Sequence, residues 1–114
     1  MKSIVKKPWG SFEVLVQDKQ YIIKKIKVIP GGILSLQSHI NRSEHWIVVE
    51  GHAEVTLEKK IYNLIANETI FIPKESKHRL ANKSNKDLVV IEIWYGDNLD
   101  ENDIIRYEDF YGRS

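Results

Sequence analysis

Short runs of apolar and β-branched residues alternate with turn residues along the chain, and each run predicts a strand. Between residues 11 and 96 the runs are SFEVLVQ, QYIIKKIKVI, ILSLQSH, HWIVVEG, AEVTLEKK, IYNLIAN, TIFIP, HRLAN and LVVIEIWYG. Turn residues separate them at Pro30-Gly31-Gly32, Gly51, Asn67, Pro73 and the segment NKSNKD. Many short strands at this spacing predict an antiparallel sandwich or barrel and not βαβ units.

Alternation along the runs indicates which side chains face the core. In AEVTLE, we expect Ala53, Val55 and Leu57 to face inward. The run LVVIEIWY is apolar on both faces except at Glu92, which is typical of a strand covered on both sides. The tail, DNLDENDIIRYEDFYGRS, is acidic with apolar insertions and predicts a short helix or an irregular strap lying on the barrel. The chain is therefore expected to form one all-β domain over residues 1–114.

Composition narrows the classes of function. A chain of 114 residues suits one domain, and its formal charge of +1 gives no basic excess for nucleic acid. It has no cysteine, so disulfides and thiolate metal sites are excluded. The start, MKSIVKKPWG, lacks the apolar stretch of a signal peptide, and no apolar run reaches the roughly 20 residues that span a bilayer. We therefore expect a cytoplasmic protein without membrane or nucleic-acid partners.

Four polar residues stand where core-facing strands should be apolar. Gln37 and His39 are two apart and share one face of a strand, while Glu44 follows a tight NRS turn. His78 opens a later strand just past Pro73. Two imidazoles, a carboxylate and an amide oxygen are ligands suited to one divalent ion: Zn²⁺ first, with Mn²⁺, Co²⁺, Ni²⁺ or Fe²⁺ also compatible. A Ca²⁺ site would need more carboxylates.

The same residues resemble the paired motifs of the cupin superfamily. The first motif is represented over residues 31–51 by Gly31, Gln37, His39, Glu44 and Gly51, and the second over residues 67–82 by Asn67, Pro73, Glu75, His78 and Asn82. Gln replaces the first motif histidine, and Asn67 and Glu75 replace two turn glycines. The resemblance implies a small double-stranded β-helix (cupin or jelly-roll) barrel with Gln37, His39, Glu44 and His78 as metal ligands.

A narrower resemblance covers nearly the whole chain. Four segments are similar to type II phosphomannose isomerases: KPWGSFEVL, YIIKKIKVIPGGILSLQSHINRSEHWIVVEGHAEVT, IFIPKESKHRLAN and IRYEDFYGR. In that family Gln is usual at the first ligand position, whereas Trp94 stands where Gln is usual. The family generally forms the C-terminal domain of a bifunctional enzyme with mannose-1-phosphate guanylyltransferase. No nucleotide-binding glycine-rich loop is found in this sequence, so it is not expected to make a sugar nucleotide by itself, and a separate guanylyltransferase is one candidate partner.

The resemblance implies interconversion of mannose 6-phosphate and fructose 6-phosphate. Such an aldose–ketose isomerase needs a general base to carry a proton between two carbons. The candidates are Lys24 and Glu92, with His45 as a further one, although His45 alternates away from Glu44 and also suits a surface position. Lys24 shares a strand face with Ile22 and Ile26 and should point inward, where a structural ion pair with Glu92 is equally compatible with the sequence.

Cations for the substrate phosphate are expected on the tail. Arg113 belongs to the terminal YGR and is the first candidate, with Arg106 as the second. Arg106 also suits a surface pair, because Asp103 and Asp109 lie three residues to either side. Arg79 should project away from the site, because it follows His78 directly.

Other functions remain open at this level. One is isomerisation or epimerisation of another sugar phosphate or of a nucleotide sugar, which in related epimerases uses a His base and no metal. Another is a non-catalytic cupin that binds sugar or metal. A homodimer is expected through edge strands, with SFEVLVQ as the exchanged strand. We expect Trp9, Trp46 and Trp94 to serve in packing rather than as sugar-stacking platforms.

Overall fold

Strands make up the regular structure of this computed structural model, which describes residues 3–112. In chain order they are β1 (Ile4–Lys7), β2 (Gly10–Gln17), β3 (Tyr21–Val28), β4 (Leu36–Ser38), β5 (Ser43–Glu50), β6 (His52–Leu57), β7 (Lys60–Ile65), β8 (Thr69–Ile72), β9 (His78–Ala81), β10 (Leu88–Tyr95) and β11 (Ile105–Glu108). None of the described residues belongs to a helix long and apolar enough to cross a membrane. The expected all-β class is confirmed.

Two antiparallel sheets form the fold. One has the strand order β1-β2-β3-β10-β5-β8 and the other has the order β11-β4-β9-β6-β7. Non-consecutive neighbours such as β3 and β10 show that the chain crosses between sheets, as in a double-stranded β-helix. β2 lies between β1 and β3, so the expectation that SFEVLVQ is an edge strand is wrong; β1 and β8 are the edges of that sheet.

The tail adopts a strand where the sequence allowed a helix. β11 pairs antiparallel with β4, with Ile105 opposite Ser38 and Arg106 opposite Gln37. The helical alternative is thus not formed in residues 97–112, because pairing with an otherwise open strand satisfies backbone groups of both segments. Residues 97–104 form an irregular strap that leads from β10 to β11.

The core lies between the inner faces of the two sheets. Its buried side chains include those of Trp9, Ile26, Trp46, Val48, Val55, Ile72, Leu80, Leu88 and Val90. Ala53 and Val55 are buried and Leu57 is half-buried, as alternation predicted. The outer residues of β10 are half-buried or exposed, so within the described chain β10 is covered on one face and not on both.

Left-handed backbone occurs where the cupin motifs usually carry glycine. Asn67 and Glu75 have φ values of 76° and 64°. Asn tolerates this region well, whereas Glu there is strained and needs support from its surroundings. The amide of Glu75 donates to the carbonyl oxygen of His39 at 2.8 Å, so the turn is tied directly to a candidate ligand.

Candidate metal centre

The inner face turns polar on the central strands of the larger sheet. Register places Glu92 of β10 between Lys24 of β3 and Trp46 of β5. Two residues further along β10, Trp94 lies opposite Glu44 of β5. The pleat of three neighbouring strands therefore brings charged and indole groups onto one inner face.

Across from this face, the shorter strands of the second sheet supply the imidazoles. Gln37 of β4 lies opposite His78 of β9, and His39 follows β4 directly. The donor atoms of His39, Glu44 and His78 all lie within 4.8 Å of one another, and the three side chains are buried. The structure thus brings together three of the four residues that the sequence predicts as ligands.

Hydrogen bonds to the backbone orient both imidazoles. Nδ1 of His39 lies 2.7 Å from the carbonyl oxygen of Asp103, and Nδ1 of His78 lies 3.0 Å from that of Ser76. Each carbonyl accepts a hydrogen bond from Nδ1–H, so Nδ1 keeps the proton and Nε2 is the lone-pair nitrogen. Nε2 of His39 is 3.3 Å from Oε2 of Glu44. Backbone acceptors of this kind commonly fix metal-binding histidines in proteins.

Gln37, the fourth predicted ligand, is half-buried beside them. Its amide nitrogen donates to the Ser35 hydroxyl at 3.0 Å and makes a longer contact of 3.3 Å with the Ser35 carbonyl oxygen. These contacts assign the nitrogen to Ser35 and leave Oε1 as the acceptor end of the amide. The arrangement suits Gln37 as an oxygen ligand.

Burial and neighbouring charges set the protonation states of the triad. Burial lowers the pKa of His39 to about 4 and also lowers that of His78, so both imidazoles are neutral at pH 7. Burial would raise the pKa of Glu44, but neighbouring positive charge, chiefly that of the Arg42 guanidinium, lowers it to about 2. Neutral imidazoles and an ionised carboxylate are the forms that bind a divalent metal. The donor set and its oriented nitrogens therefore fit such an ion.

Arg42 is a site residue that the sequence analysis missed. It is buried, its Nε donates to Glu44 Oε2 at 2.7 Å, and its Nη2 donates to His39 Nε2 at 3.1 Å. Its guanidinium carbon also lies 3.3 Å from the centre of the Trp94 ring. Arg42 precedes Glu44 by two residues, and strand alternation from Glu44 was the signal that could have placed it on the inner face.

Two tryptophans contact the carboxylates of the site. The Trp46 indole donates to Oε1 of Glu44 at 2.7 Å, and the Trp94 indole donates to Oε1 of Glu92 at 3.2 Å. Burial, and then the charge of Glu44, raises the pKa of Glu92 to about 8. Trp46 and Trp94 are thus packed as expected, but they also position polar groups.

Lys24 points inward, as predicted, and is buried. Its Nζ lies 2.6 Å from Oε2 of Glu101 on the strap, so the ion pair of Lys24 is with Glu101 rather than with its cross-strand neighbour Glu92. The ammonium also lies 4.2 Å from the ring centre of Phe12 and 3.8 Å from that of Trp94. Both distances are within the range of cation–π attraction.

The strap makes further contacts with this region. The Asp103 carboxylate accepts hydrogen bonds from the amides of Ile40 and Asn41 at 2.9 and 2.8 Å, while its carbonyl accepts from His39. Burial would raise the pKa of Asp103, but these two amide hydrogen bonds lower it. The strap is therefore fixed to the loop that carries His39 and Arg42.

The remaining predicted residues are placed as follows. Arg106 is half-buried on β11 and lines the cavity beside the site, whereas Arg113 lies outside the described residues. His45 is exposed on the outer face, where its ring packs against Phe71, so it is separated from the site. Arg79 also points away, donating to the Leu34 carbonyl and pairing with Glu108.

The geometry defines a class of protein: a double-stranded β-helix with buried His and Glu donors and a half-buried Gln beside them. The description "Mannose-6-phosphate isomerase C-terminal" belongs to the family model that matches residues 1–109. The chain is therefore a member of the mannose-6-phosphate isomerase C-terminal domain family, and the cupin resemblance is confirmed.

Relatives support this family membership. The chain is 46% identical over 110 residues to the alginate biosynthesis protein AlgA of Pseudomonas fluorescens, covering 96% of this chain and 23% of AlgA. It is 42% identical over 109 residues to the mannose-1-phosphate guanylyltransferase ManC of Salmonella typhimurium, covering 96% of this chain and 23% of ManC. The chain thus spans under a quarter of the length of these curated relatives.

A solved structure confirms the fold. A protein of Klebsiella pneumoniae with a double-stranded β-helix domain superposes with a TM-score of 0.75 at 14% identity, covering 94% of this chain and 86% of that one. At this identity the likeness shows the fold alone.

Proposed function

We propose that the protein is a metal-dependent aldose–ketose isomerase that interconverts mannose 6-phosphate and fructose 6-phosphate. One observation carries the proposal: His39, Glu44 and His78 form a buried donor cluster beside a cavity in a chain of the mannose-6-phosphate isomerase C-terminal family. We further propose that residues 1–114 act as one cupin domain.

Gln37, His39, Glu44 and His78 would hold one divalent ion, with Zn²⁺ as the first candidate and Mn²⁺, Co²⁺, Ni²⁺ or Fe²⁺ as the others. When bound, such an ion supplies the positive charge that makes the carbon beside a sugar carbonyl acidic enough to lose a proton. The Asp103 and Ser76 carbonyls keep the Nε2 atoms of both imidazoles directed at the site.

Glu92 is the proposed base that carries the proton between C1 and C2 of the sugar. It faces the cavity, and its pKa of about 8 lets the carboxyl gain and release a proton near neutral pH. Lys24 is less suited to this role because its ammonium is held by a carboxylate and two rings. It serves better as a charged donor to the substrate, with Arg106 and Arg113 as the proposed additional phosphate contacts.

The partners and location follow from the same proposal. The ManC relative is named a mannose-1-phosphate guanylyltransferase, and we propose that this chain works with a guanylyltransferase. We also propose a cytoplasmic homodimer that pairs through the edge strand β1 or β8.

The test is a coupled assay of fructose 6-phosphate formation from mannose 6-phosphate. Chelator-treated protein is reloaded singly with Zn²⁺, Mn²⁺, Co²⁺ or Ni²⁺, and His39→Ala and His78→Ala are compared with His52→Ala. His52 is exposed on β6 and serves as the matched histidine control. Restored turnover that is lost in the two site variants and kept in His52→Ala supports the proposal.

The isomerase proposal would be rejected if the folded protein binds metal but shows no turnover with any of these metals. Turnover of another sugar phosphate or a nucleotide sugar without added metal would favour an epimerase instead. Tight metal binding without turnover of any sugar would favour a binding role.

A further inference from the structure

Lys24 forms an ion pair with the carboxylate of Glu101, which is exposed, whereas the other carboxylates of the site, those of Glu44 and Glu92, are buried. Lys24 is 3% exposed, and its ammonium lies between two aromatic rings and the carboxylate of Glu101. The Glu101 side chain is 59% exposed and reaches the ammonium from the irregular strap. A buried cation is thus neutralised by a carboxylate that comes from the surface.

When the ion pair breaks, the change in solvation free energy is much less favourable for Lys24 than for Glu101. A largely exposed carboxylate regains water when it leaves, so releasing Glu101 costs little. Lys24 has no such compensation, because a buried ammonium without an anion is strongly disfavoured. The position of the Glu101 carboxylate is therefore a place where the structure requires an anion, although Glu101 itself is replaceable.

Other carboxylates of the cavity are engaged elsewhere. Glu44 accepts from Arg42 and Trp46, and Glu92 accepts from the Trp94 indole. The cations Lys7, Lys24, Arg42 and Arg106 line the same cavity. An anion entering beside Lys24 would therefore meet several positive groups.

The small volume of the cavity also implicates Glu101. Its volume is about 110 Å³, below the roughly 300–1,000 Å³ of typical small-molecule sites. Glu101 and Ile104 are the strap residues that line it. Withdrawal of Glu101 would both free the Lys24 ammonium and enlarge the space beside it.

We propose that Lys24 is the centre of an anion subsite that Glu101 occupies in the absence of substrate, and that the substrate's phosphate group displaces the Glu101 carboxylate. The assignment of the anion as a sugar phosphate rests on the proposed function, whereas the exchange of anions on Lys24 does not. Glu101 thereby acts as an internal competitor that weakens binding of every anion at this subsite.

The experiment is a calorimetric titration with inorganic phosphate, carried out on the full chain as purified and after chelator treatment. The variants are Glu101→Gln and, as the matched control, Glu108→Gln. Glu108 is 56% exposed, lies on the same tail and pairs with Arg79, which points away from the cavity. We expect phosphate to bind Glu101→Gln roughly five-fold more tightly than wild type, and the control to bind as wild type does.

A third variant ties the gain to Lys24. Adding Lys24→Gln to Glu101→Gln should abolish the tighter binding, with thermal unfolding used to verify the fold. Should the double variant fail to fold, Glu101→Ala provides a second test, because it removes the carboxylate at an exposed position and should show the same gain. Equal dissociation constants in wild type and both Glu101 variants, no measurable binding to any of them, or an equal gain in Glu108→Gln would overturn the inference.

The result is separable from that of the isomerase assay. Tighter phosphate binding in Glu101→Gln with no isomerisation would keep the anion subsite and reject the proposed function. Isomerisation with unchanged phosphate binding would keep the function and reject the subsite. Titration with mannose, which lacks the phosphate, should show no gain from the Glu101 variants.

Discussion

Replacing Glu92 by glutamine is expected to stabilise the metal-free protein, and to do so increasingly as the pH rises from 5 to 8. The pKa of Glu92 is raised from 4.5 to about 8 in the folded state, mainly by burial. Between these two values the folded protein keeps a proton on Glu92 that the unfolded chain releases. The stability contribution of the protonated form is thus fully present below pH 4.5 and is lost as the pH rises through 8.

The size of the effect follows from the shift. Each pKa unit corresponds to about 1.4 kcal/mol, so the raised pKa costs at most ~5 kcal/mol of unfolding free energy above pH 8. Between pH 5 and pH 7 the difference between Glu92→Gln and wild type should grow by roughly 2–3 kcal/mol. Glutamine matches the shape of the protonated carboxyl and does not ionise, so it removes the pH-dependent cost without leaving a cavity.

Urea denaturation at pH 5, 6, 7 and 8 in the presence of chelator measures this difference. The comparison must be between variant and wild type, because the lowered pKa values of His39 and His78 make wild-type stability rise with pH below pH 6.5, a range that overlaps that of Glu92. Glu50→Gln provides the control, since Glu50 is exposed at the end of β5.

A difference that stays constant with pH would refute the reasoning, as would a Glu92→Gln protein that is less stable than wild type at pH 8. Either result would mean that Glu92 is ionised in the folded state and that Lys24 compensates its charge more strongly than the burial opposes it.

Three further outcomes are expected. Arg42→Gln removes a guanidinium that contacts both Glu44 and His39. Because the guanidinium competes with a metal ion for these donor atoms, the variant should bind Zn²⁺ roughly ten-fold more tightly, as measured by competition with a chelating dye. Weaker binding would show that Arg42 holds the donor atoms in position instead of competing for them. Zn²⁺ affinity should fall less between pH 7 and pH 5.5 than it would for two histidines of ordinary pKa, because burial lowers the pKa of both His39 and His78. A steep loss centred near pH 6.5 in the same dye assay would contradict the lowered pKa values. Asn82→Ala should lower the free energy of unfolding by about 2–3 kcal/mol in urea denaturation, because the buried amide makes hydrogen bonds to the carbonyls of Val28 and Lys86 and to the Ser84 hydroxyl. A loss below about 0.5 kcal/mol would show that other groups replace these hydrogen bonds.

Local spacing was sufficient to predict most strands and the proximity of His39 and Glu44, whereas His78 was joined to them through the resemblance to the cupin motifs. His39 and Glu44 lie on either side of one tight turn, and alternation fixes which face each occupies. Lys24 was placed inward by the same rule. These features depend on periodicity within a strand and on short turns, and both can be read directly from neighbouring residues.

Contacts made by the strap could not be predicted in this way. Glu101 reaches Lys24 across 77 positions of sequence, and Asp103 reaches His39 across 64. Their positions depend on the path of an irregular segment, which carries no periodic signal. Arg42 was missed for a related reason, since a charged residue within a turn is usually solvated and its burial here depends on Trp94 stacking from another strand.

The anchoring of His39 by Asp103 also bears on how the protein matures during synthesis. Translation proceeds from the N-terminus, and both imidazoles and Glu44 leave the ribosome well before the strap that orients His39. Until residue 103 has emerged, a nascent chain presents an imidazole whose tautomer is not yet selected by its backbone acceptor. The donor cluster is therefore complete in sequence before it is complete in orientation, and His39 gains its fixed tautomer only when the strap packs against the loop that carries it.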